Sequence, residues 1–393
     1  MSDFVSRQEQ TSPAKLADMP GDHWTEIFLH LPPQPHILLR VSHVCRSWRR
    51  LTADPGFLRS FRARHNDTPP LAGVFHNICY EGARRFTPIT GDGEDPLPLR
   101  RGFTCPAHWH VFDSRHGRVL FHALAHGAAP PVLILWDPVT RRCEKIGMPP
   151  DWAVYYNYDG KLGGSVVCMA GDDADGRHGD CRSGPFMVVL MIGREPRAMV
   201  SVYSSEDGGG WNKAISFDGL PMWAEVVPKP CVVIGDTLYQ AVSGSNTLAF
   251  DLRSSSFTMV PNPPETKWMD VQIVRVDGGR LGLVVANNVE FSLQLWVWKG
   301  ADDWVQRWRV RLDTLKPLSA TAQPGVVDLG AVNLIGACDY GNAIFLWTRL
   351  GSFMLQLDTM ELKELSYDST MTSGSLYPYE SFFAPVQVST IPS

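Results

Sequence analysis

The chain has 393 residues, of which 44% are hydrophobic and 20% are charged, and its formal net charge at pH 7 is −5. These proportions are ordinary for a globular protein and exclude a largely disordered chain, and the small negative charge provides no overall attraction to nucleic acid or to an anionic membrane. The length fits two to three average domains, or one small module followed by one large β-domain.

Cysteine usage indicates a reducing environment. The eight cysteines are scattered, with no C-x-x-C pair, and residues 1–10 contain no apolar stretch of the kind found in secretory signals. No run approaches the ~18 apolar residues of a membrane-spanning helix. Scattered thiols in such a chain are expected to be free and mostly buried, so we expect the protein in the nucleus or the cytoplasm.

Differences in polarity and hydrophobic periodicity divide the chain into three predicted parts. Residues 1–14 are polar and without periodicity, which is typical of a loose tail. Residues 15–66 carry helical patterns, whereas residues 67–393 consist of short apolar runs separated by turn residues, as in an all-β domain. The sequence therefore predicts a small all-α module followed by a large all-β domain.

The helical module contains two apolar series at helical spacing. The first follows the i, i+3, i+4, i+7 pattern of one helix face. Proline suits a first helical turn and prevents continuation, so Pro20 and Pro32 delimit this helix. The second series ends at Asp54-Pro55. The first series is Trp24, Ile27, Phe28 and Leu31, and the second is Leu38, Val41, Val44 or Cys45, Trp48 and Leu51.

A core of about 40 residues is usually too small to fold without a staple or a partner, so the remaining apolar surface is expected to bind another protein. Several short segments form an ordered pattern within it. They are Met19-Pro20, Glu26-Ile27-Phe28, Leu31-Pro32, Val44-Cys45-Arg46-Ser47-Trp48-Arg49-Arg50-Leu51 and Asp54-Pro55. Together they resemble the F-box, although Met19 replaces a leucine and His23 stands where the family usually has an apolar residue.

The resemblance implies a partner and a role. An F-box binds the Skp-type adaptor of a cullin-RING ubiquitin ligase, and the domain behind it presents a substrate protein. The run at residues 55–65 is similar to a variant common in F-box proteins of grasses, which implies a plant protein. The residues implied in adaptor binding or its support are Met19, Pro20, Trp24, Ile27, Leu31, Pro32, Leu38, Val41, Val44, Cys45, Trp48 and Leu51.

The second half of the helical module is rich in arginine. It contains one acidic residue, Asp54. Such a stripe suits nucleic acid or an acidic protein, but it is also typical of a solvated helix face. The base-reading and stacking residues that accompany nucleic-acid binding are missing. The arginines are Arg40, Arg46, Arg49, Arg50, Arg59, Arg62 and Arg64.

Two markers recur in fixed order, at intervals of about 50 residues, in the second part of the chain. One is a turn between two strands, and the other is a glycine that leads into an apolar strand before it. The turns are centred on Asp137, Ser205, Asp251, Ala301 and Asp358. The glycines are Gly117, Gly184, Gly235, Gly279 and Gly341.

This repeat predicts a β-propeller of four-stranded blades. Five repeats are visible, and we expect residues 70–75 and 379–386 to pair and close a sixth blade, because joining the two ends removes exposed sheet edges. The domain resembles the F-box-associated and kelch-like propellers, although it lacks the paired glycines of a well-formed kelch repeat.

The sequence segments that resemble metal sites lack the spacing or the ligands that such sites need. The histidines near Cys105, such as His108 and His110, lack the spacing of a zinc finger. The loop at residues 171–184 has glycine and arginine at the two ends where an EF-hand needs acids, so it is expected to be a mobile acidic surface loop. There is no phosphate-binding glycine loop and no nucleophile elbow. We therefore predict no catalytic residue, metal or cofactor.

Tryptophans are the remaining candidates for recognition. Trp24 and Trp48 are expected to hold the helices together, to anchor the adaptor, or both. Trp152 stands near three tyrosines at a loop end and is a candidate for a substrate-recognition face, whereas most other tryptophans of the β-domain are expected to fill the blades. The three tyrosines are Tyr155, Tyr156 and Tyr158.

The sequence thus predicts a non-catalytic substrate receptor of a ubiquitin ligase with an unknown protein substrate. One alternative is an F-box propeller that binds or regulates a partner outside an assembled ligase, with His23 weakening assembly. Another is an enzyme built on the propeller, but no acid, base or metal set supports it.

Overall fold

A computed structural model describes most of the chain. The described residues are 21–65, 68–77, 86–89, 109–124, 130–138, 142–150, 152, 162–169, 184–206, 208–244, 246–276, 279–301, 303–316, 318, 331–365 and 374–382. They form two compact units that divide the chain near residue 68. The predicted tail, residues 1–14, lies outside the described residues, and the predicted boundaries at 15–66 and 67–393 stay predictions.

The first unit contains four helices in its described residues. They are α1 Gly21–Leu29, α2 Pro35–Val44, α3 Arg46–Ala53 and α4 Pro55–Arg64. Asp54 caps α4 because its side chain accepts a hydrogen bond from the Phe57 N–H at 2.9 Å, and Pro55 suits the first helical position. None of the described helices is both long and apolar enough to cross a membrane.

One prediction about these helices is wrong. The second apolar series was expected to form a single helical run, but it is divided between α2 and α3 at Cys45. Cys45 has extended backbone angles and is exposed, and its Sγ accepts a hydrogen bond from the Trp48 N–H at 3.5 Å. Cys45 therefore caps α3 and does not pack on the apolar side of a helix.

Aromatic rings hold the helices together. The Trp48 ring lies 4.6 Å from that of Trp24 and 4.9 Å from that of Phe28, measured between centroids. On α4, Phe57 and Phe61 are buried, and their rings are stacked with centroids 5.9 Å apart. The core role expected for Trp24 and Trp48 is thus present, while both side chains remain half-buried.

The second unit is a six-bladed β-propeller. It begins with β1 (Leu71–His76) and β2 (Phe86–Pro88). Blade 1 contains β3 (Trp109–Arg115), β4 (Arg118–Ala123), β5 (Val132–Trp136) and β6 (Cys143–Gly147). Blade 2 contains β7 (Leu162–Cys168), β8 (Phe186–Arg194), β9 (Arg197–Ser204), β10 (Gly210–Trp211) and β11 (Ile215–Phe217). Blade 3 contains β12 (Val232–Ile234), β13 (Thr237–Val242), β14 (Asn246–Asp251) and β15 (Ser256–Pro261).

The chain continues through the remaining blades in the same order. Blade 4 contains β16 (Asp270–Val276), β17 (Arg280–Asn287), β18 (Ser292–Gly300) and β19 (Asp303–Arg311). Blade 5 contains β20 (Asn333–Ala337), β21 (Ala343–Thr348), β22 (Gly351–Gln356) and β23 (Leu362–Leu365). The final strand, β24 (Leu376–Glu380), pairs with β1, and β1 pairs with β2, to make blade 6.

Both sequence markers are confirmed as repeated positions of the blades. Each marker glycine precedes the second strand of its blade, and each marker turn joins the third strand to the fourth. At Asp251 the carboxylate accepts hydrogen bonds from the N–H groups of Arg253 and Ser254 at 3.0 and 2.6 Å, which is the aspartate turn that the sequence predicted.

The apolar core lies between neighbouring blades. Residues of blades 1 and 2 share one buried cluster, and the same holds for every neighbouring pair around the ring, including blades 6 and 1. Because both faces of each sheet are covered, strands such as β4 and β17 are buried almost along their whole length. Each blade is therefore stabilised by two neighbours.

Closure of the ring depends on the two ends of the β-domain. β24 pairs antiparallel with β1, with Phe75 opposite Tyr377 and Val74 opposite Pro378. The pairing confirms the predicted sixth blade, although the C-terminal strand begins at Leu376, slightly earlier than expected, and residues 383–386 lie outside the described residues.

Tyr379→Ala tests this closure. Tyr379 is buried, and its ring lies 5.9 Å from that of Phe75 and 6.2 Å from that of Phe86. We expect the variant to lose about 3–5 kcal/mol of unfolding free energy, because it leaves a cavity between blades 6 and 1. Tyr379→Phe is the control: it removes one long hydrogen bond to the Gly117 carbonyl, at 3.4 Å, and should cost about 1 kcal/mol or less. Equal losses of unfolding free energy in the two variants, measured by urea unfolding, would show that the aromatic ring of Tyr379 does not stabilise the closure.

Candidate functional site

The helical unit leaves large apolar side chains uncovered. Ile27 is 43% exposed and Val44 is 62% exposed. Exposed apolar side chains indicate an interface where they form a contiguous patch, and these two residues lie on α1 and α2 of the same small unit. The remaining predicted adaptor residues follow in order of burial. Leu38 is buried; Trp24, Leu31, Val41, Trp48 and Leu51 are half-buried; Pro32 and Cys45 are exposed; Met19 and Pro20 lie outside the described residues.

The arginines of the stripe lie on α2, α3 and α4. Of its seven members, Arg62 is half-buried and the other six are exposed. Arg49 Nε donates a hydrogen bond to the Ser42 carbonyl at 3.3 Å, which ties α3 to α2. This exposure agrees with a solvated helix face, and it agrees equally with a surface that binds an acidic protein partner.

In the propeller, a buried ionic cluster lies where the first strands of the blades meet. Arg115, at the end of β3, contacts Asp339 with Nε and Oδ2 2.6 Å apart, and its Nη2 donates to the Cys231 carbonyl at 2.7 Å. Asp113 accepts hydrogen bonds from Ser165 Oγ at 2.8 Å and the Val166 N–H at 2.9 Å. Side chains of blades 1, 2 and 5 are thereby joined to the backbone of blade 3.

Burial governs the ionisation of this cluster. Desolvation raises the pKa of Asp113, with Arg115 acting in the opposite direction. Desolvation works to lower the pKa of Arg115, but the carboxylates of Asp113 and Asp339 raise it overall. Burial also raises the pKa of the Cys231 thiol to about 12. Because a thiol in this state stays protonated at neutral pH, Cys231 is not an activated nucleophile.

Glu380 extends the cluster to the closing blade. Its carboxylate accepts hydrogen bonds from the N–H groups of Asp339, Tyr340 and Gly341 at 2.8, 3.1 and 2.6 Å. Burial, and then the charge of Asp339, raise its pKa to about 8. Because Glu380 ends β24 and the three N–H groups follow β20, this contact ties blade 6 to blade 5. The ionic cluster therefore links several blades to one another.

The described histidines do not converge on a metal site. His110 and His122 lie opposite each other on β3 and β4, and no group of three or more potential metal ligands occurs among the described residues. Burial, and then the neighbouring His110, lower the pKa of His122 to about 4. Cys105 and His108, which the sequence grouped with His110, lie outside the described residues.

One face of the propeller carries its exposed apolar side chains. Consecutive strands are antiparallel, so the turn between the second and third strands, and the connection to the next blade, emerge at the same edge as the start of the first strand. We call this edge the connection face. Six exposed large apolar residues occur among the described residues of the propeller, and all lie on it: Leu124, Met222, Trp223, Trp268, Val289 and Leu350.

Of the four residues predicted to recognise the substrate, the structure describes one. Trp152 is 1% exposed and packs among residues of blades 1 and 2, so the structure corrects its assignment from recognition surface to core. Tyr155, Tyr156 and Tyr158 lie outside the described residues.

Two tryptophans were expected to fill blades but are exposed. Trp223 and Trp268 are 79% and 74% exposed. The sequence held a signal: both follow a proline-containing segment, at Pro221 and at Pro263-Pro264, and neither stands in an apolar strand pattern. The other described tryptophans of the propeller are buried or half-buried, as expected of blade residues.

Comparison with known proteins identifies both units. Residues 110–386 match the family described as F-box protein AT5G49610-like, beta-propeller. The chain belongs to this family of F-box propeller proteins. Residues 16–63 match the F-box-like family, which agrees with the helical unit. A search of curated proteins found no match.

Solved structures show distant similarity to the F-box propeller chain. The WD40 domain of SCAP from fission yeast is 14% identical with a TM-score of 0.35, and the alignment covers 68% of this chain and 52% of that domain. The Pseudomonas aeruginosa periplasmic gluconolactonase PpgL is 13% identical with a TM-score of 0.37, covering 77% of this chain and 83% of that one. The F-box propeller chain thus spans about half the length of the SCAP structure that it matches.

Arg115→Met tests the ionic cluster. The substitution leaves the buried Asp113 and the partly buried Asp339 without their cation, so we expect a loss of about 3–5 kcal/mol of unfolding free energy in urea. The matched control is Arg197→Met, because the Arg197–Asp218 pair has the same 2.6 Å separation but both side chains are more than half exposed. An exposed pair contributes about 1 kcal/mol or less. A loss at Arg115 no larger than at Arg197 would show that the cluster does not stabilise the ring.

His122 gives a pH-dependent stability. Its folded pKa of about 4 lies below the ordinary value of 6.5, so its contribution is fully present above pH 6.5 and is lost as pH falls through about 4. Between pH 7 and pH 5 we expect the wild type to lose roughly 2 kcal/mol of unfolding free energy through this residue. His122→Gln should remove that part of the loss in urea titrations at the two pH values, whereas His23→Gln, at an exposed position, should retain it. An unchanged pH dependence in His122→Gln would refute the assignment.

Proposed function

We propose that this F-box propeller chain is the substrate-recognition subunit of an SCF-type E3 ubiquitin ligase, a complex of Skp adaptor, cullin and F-box protein. In this proposal the helical unit binds the Skp-type adaptor and, through it, the cullin, while the propeller binds the target protein. The chain supplies proximity and orientation, and catalysis belongs to other subunits. It acts in the nucleus or the cytoplasm, and the similarity of residues 55–65 to the grass variant favours a plant source.

The observation that carries the proposal is the uncovered apolar surface of an F-box-like unit. Residues 16–63 match that family, and Ile27 and Val44 on its helices are exposed although both are large and aliphatic. A partner that covers them gains roughly 25 cal/mol for each Å² of apolar surface removed from water. The propeller supports the second half of the proposal, because its rigid interlocked blades hold the loops of the connection face for binding.

A second candidate is an F-box propeller that binds or regulates a partner outside an assembled ligase. His23 favours it, since this exposed polar residue stands where the F-box pattern usually has an apolar contact. Burying an imidazole without a hydrogen-bond partner is costly, so His23 is expected to weaken adaptor binding.

Co-purification with adaptor and cullin separates these candidates. We expect the wild-type chain to recover both proteins, and the double variant Ile27→Asp with Val44→Asp to lose at least tenfold of each, because two charges would be buried in the interface. Both positions are exposed, so the variant should unfold at nearly the wild-type temperature. Val289→Asp is the matched control, since it places the same charge at an exposed valine of the propeller.

Each outcome has a distinct meaning. Recovery of adaptor without cullin supports the second candidate. Full recovery of both proteins by the double variant would refute this interface. If the ligase assembles, proximity labelling with and without proteasome inhibition identifies the target, because true substrates accumulate when degradation is blocked.

A further inference from the structure

The buried ionic cluster of the propeller surrounds a small cavity. The cavity lies among β3, β20 and β24, next to the residues that precede β12. It is partly open, and its interior admits a group about the size of one water molecule. The polar residues that line it are Asp113, Ser114, Arg115, Asp339, Tyr377 and Glu380. The walls of this cavity are therefore mostly polar, although the strands around it are buried.

Two hydroxyl groups at the cavity have no hydrogen-bond partner among the described residues. Tyr377 is 3% exposed, and its hydroxyl forms no hydrogen bond within that part of the chain. Burial, and then the negative charge of Asp113, raise the pKa of Tyr377, which places this hydroxyl near that carboxylate. The Ser114 Oγ is buried and also unpartnered. Because a buried hydroxyl without a partner is costly, both groups indicate a polar occupant.

Carboxylates outnumber cations around the cavity. Three carboxylates line it, whereas Arg115 is the single cation among its described lining residues. The next cation is Arg275, whose Nη2 donates to the Val233 carbonyl and whose guanidinium carbon lies 5.5 Å from the centroid of the Tyr340 ring. Even when Arg275 is counted, the carboxylates exceed the cations by one.

Two further cations are directed away from the cavity. Arg118 points to blade 2, where its Nη2 donates to the Gly184 carbonyl at 2.9 Å and its guanidinium carbon lies 4.7 Å from the centroid of the Phe186 ring. Lys229 is paired with Asp270, with Nζ and Oδ1 2.5 Å apart. The formal charge at the cavity is therefore negative.

Burial couples this charge to protons. The pKa of Glu380 is raised to about 8 and that of Asp113 is also raised, in both cases chiefly because burial disfavours the charged form. A bound cation favours the ionised carboxylates, so its binding releases protons and strengthens as pH rises through 8. The Cys231 and Cys338 thiols add no charge there, because burial raises the pKa of both.

We propose that this cavity binds a primary ammonium group, with the carboxylates balancing its charge and the Tyr377 and Ser114 hydroxyls accepting hydrogen bonds from its N–H groups. A primary ammonium is about the size of a water molecule and has three donors and no acceptor. An anion is repelled by the same carboxylates. The ammonium belongs to a free small amine or to a lysine side chain of a protein bound to the propeller. The site does not depend on adaptor binding.

Thermal unfolding of the full-length chain with methylammonium chloride tests the site. A ligand that binds only the folded chain raises the unfolding temperature with its concentration, which gives the Kd. We expect methylammonium to raise the unfolding temperature more than equal concentrations of tetramethylammonium chloride, which has the same charge but no N–H donor.

The pH dependence of this Kd is a second measurement. Alkylammonium groups stay charged up to pH 9, as lysine does. Because the ionised form of Glu380 is the one that binds the cation, the Kd should tighten about tenfold from pH 7 to pH 9. Glu380→Gln should remove this pH dependence, since the amide does not ionise while its oxygen still accepts hydrogen bonds from the N–H groups that follow β20.

Tyr377→Phe separates the site from the fold. The variant removes the unpartnered hydroxyl and keeps the ring, so we expect the Kd for methylammonium at pH 9 to weaken about tenfold through the lost hydrogen bond to a charged group. The unfolding temperature of the free chain should change little. Tyr379→Phe is the matched control in the same strand, because Tyr379 does not line the cavity and its hydroxyl donates to the Gly117 carbonyl. It should keep the wild-type Kd.

A second probe distinguishes the two sources of the ammonium. Nα-acetyl-lysine amide carries an ammonium only on its side chain. Tighter binding of this probe than of methylammonium, lost in Tyr377→Phe, would assign the site to a lysine of a bound protein, whereas tighter binding of methylammonium would assign it to a free amine.

Three results would overturn the proposal. Equal stabilisation by methylammonium and tetramethylammonium would show that the cavity holds water only. A Kd that stays constant or weakens from pH 7 to pH 9 would show that the carboxylates do not balance a cation. Equal Kd values in Tyr377→Phe and Tyr379→Phe would place the binding elsewhere on the chain.

Discussion

The antiparallel pairing of β24 with β1 is the constraint on which the propeller depends. Every apolar cluster lies between two neighbouring blades, so an open ring would expose one face of each terminal blade and a row of unpaired backbone groups. The buried acids reinforce the same closure: Glu380, at the end of β24, holds three N–H groups that follow β20, and Arg115 joins β3 to Asp339. Ring closure and the ionic cluster thus act together.

A closed ring allows strain to be stored on its surface. The turns at Glu195 and Ser243 belong to different blades and are fixed by their strands, so they hold Trp223 in a conformation that an isolated loop would not retain. The helical unit is different. Its few helices enclose a small aromatic core and leave Ile27 and Val44 uncovered. The helical unit therefore leaves large apolar side chains exposed, while the propeller presents side chains from a scaffold that is already complete.

Local sequence signals predicted the repeat well because each reports a requirement of its own turn. Gly117 and Gly235 have positive φ in the turn before the second strand of their blades, and the Asp251 carboxylate accepts hydrogen bonds from the backbone of the turn between the third and fourth strands. These residues therefore mark their blades without reference to distant residues. Predictions failed where the answer depended on a neighbour. Cys45 fits a helical apolar series, but it interrupts the helix. Trp152 stands among polar and aromatic loop residues, yet blades 1 and 2 bury it.

The sequence by itself determined the F-box pattern and the five visible repeats, since these follow from periodicity and from turn chemistry within short stretches. The closing sixth blade was an expectation that the pairing of β24 with β1 confirmed. Only the tertiary structure decided which residues are exposed and which charges meet. Asp113 and Arg115 lie far from Asp339 and Glu380 in the chain, with a separation of 224 positions between Arg115 and Asp339. The prolines before Trp223 and Trp268 mark these residues as loop positions, but they do not show that the side chains are exposed. Burial and long-range ion pairing arise from the packing of six blades around one ring, and no local pattern encodes them.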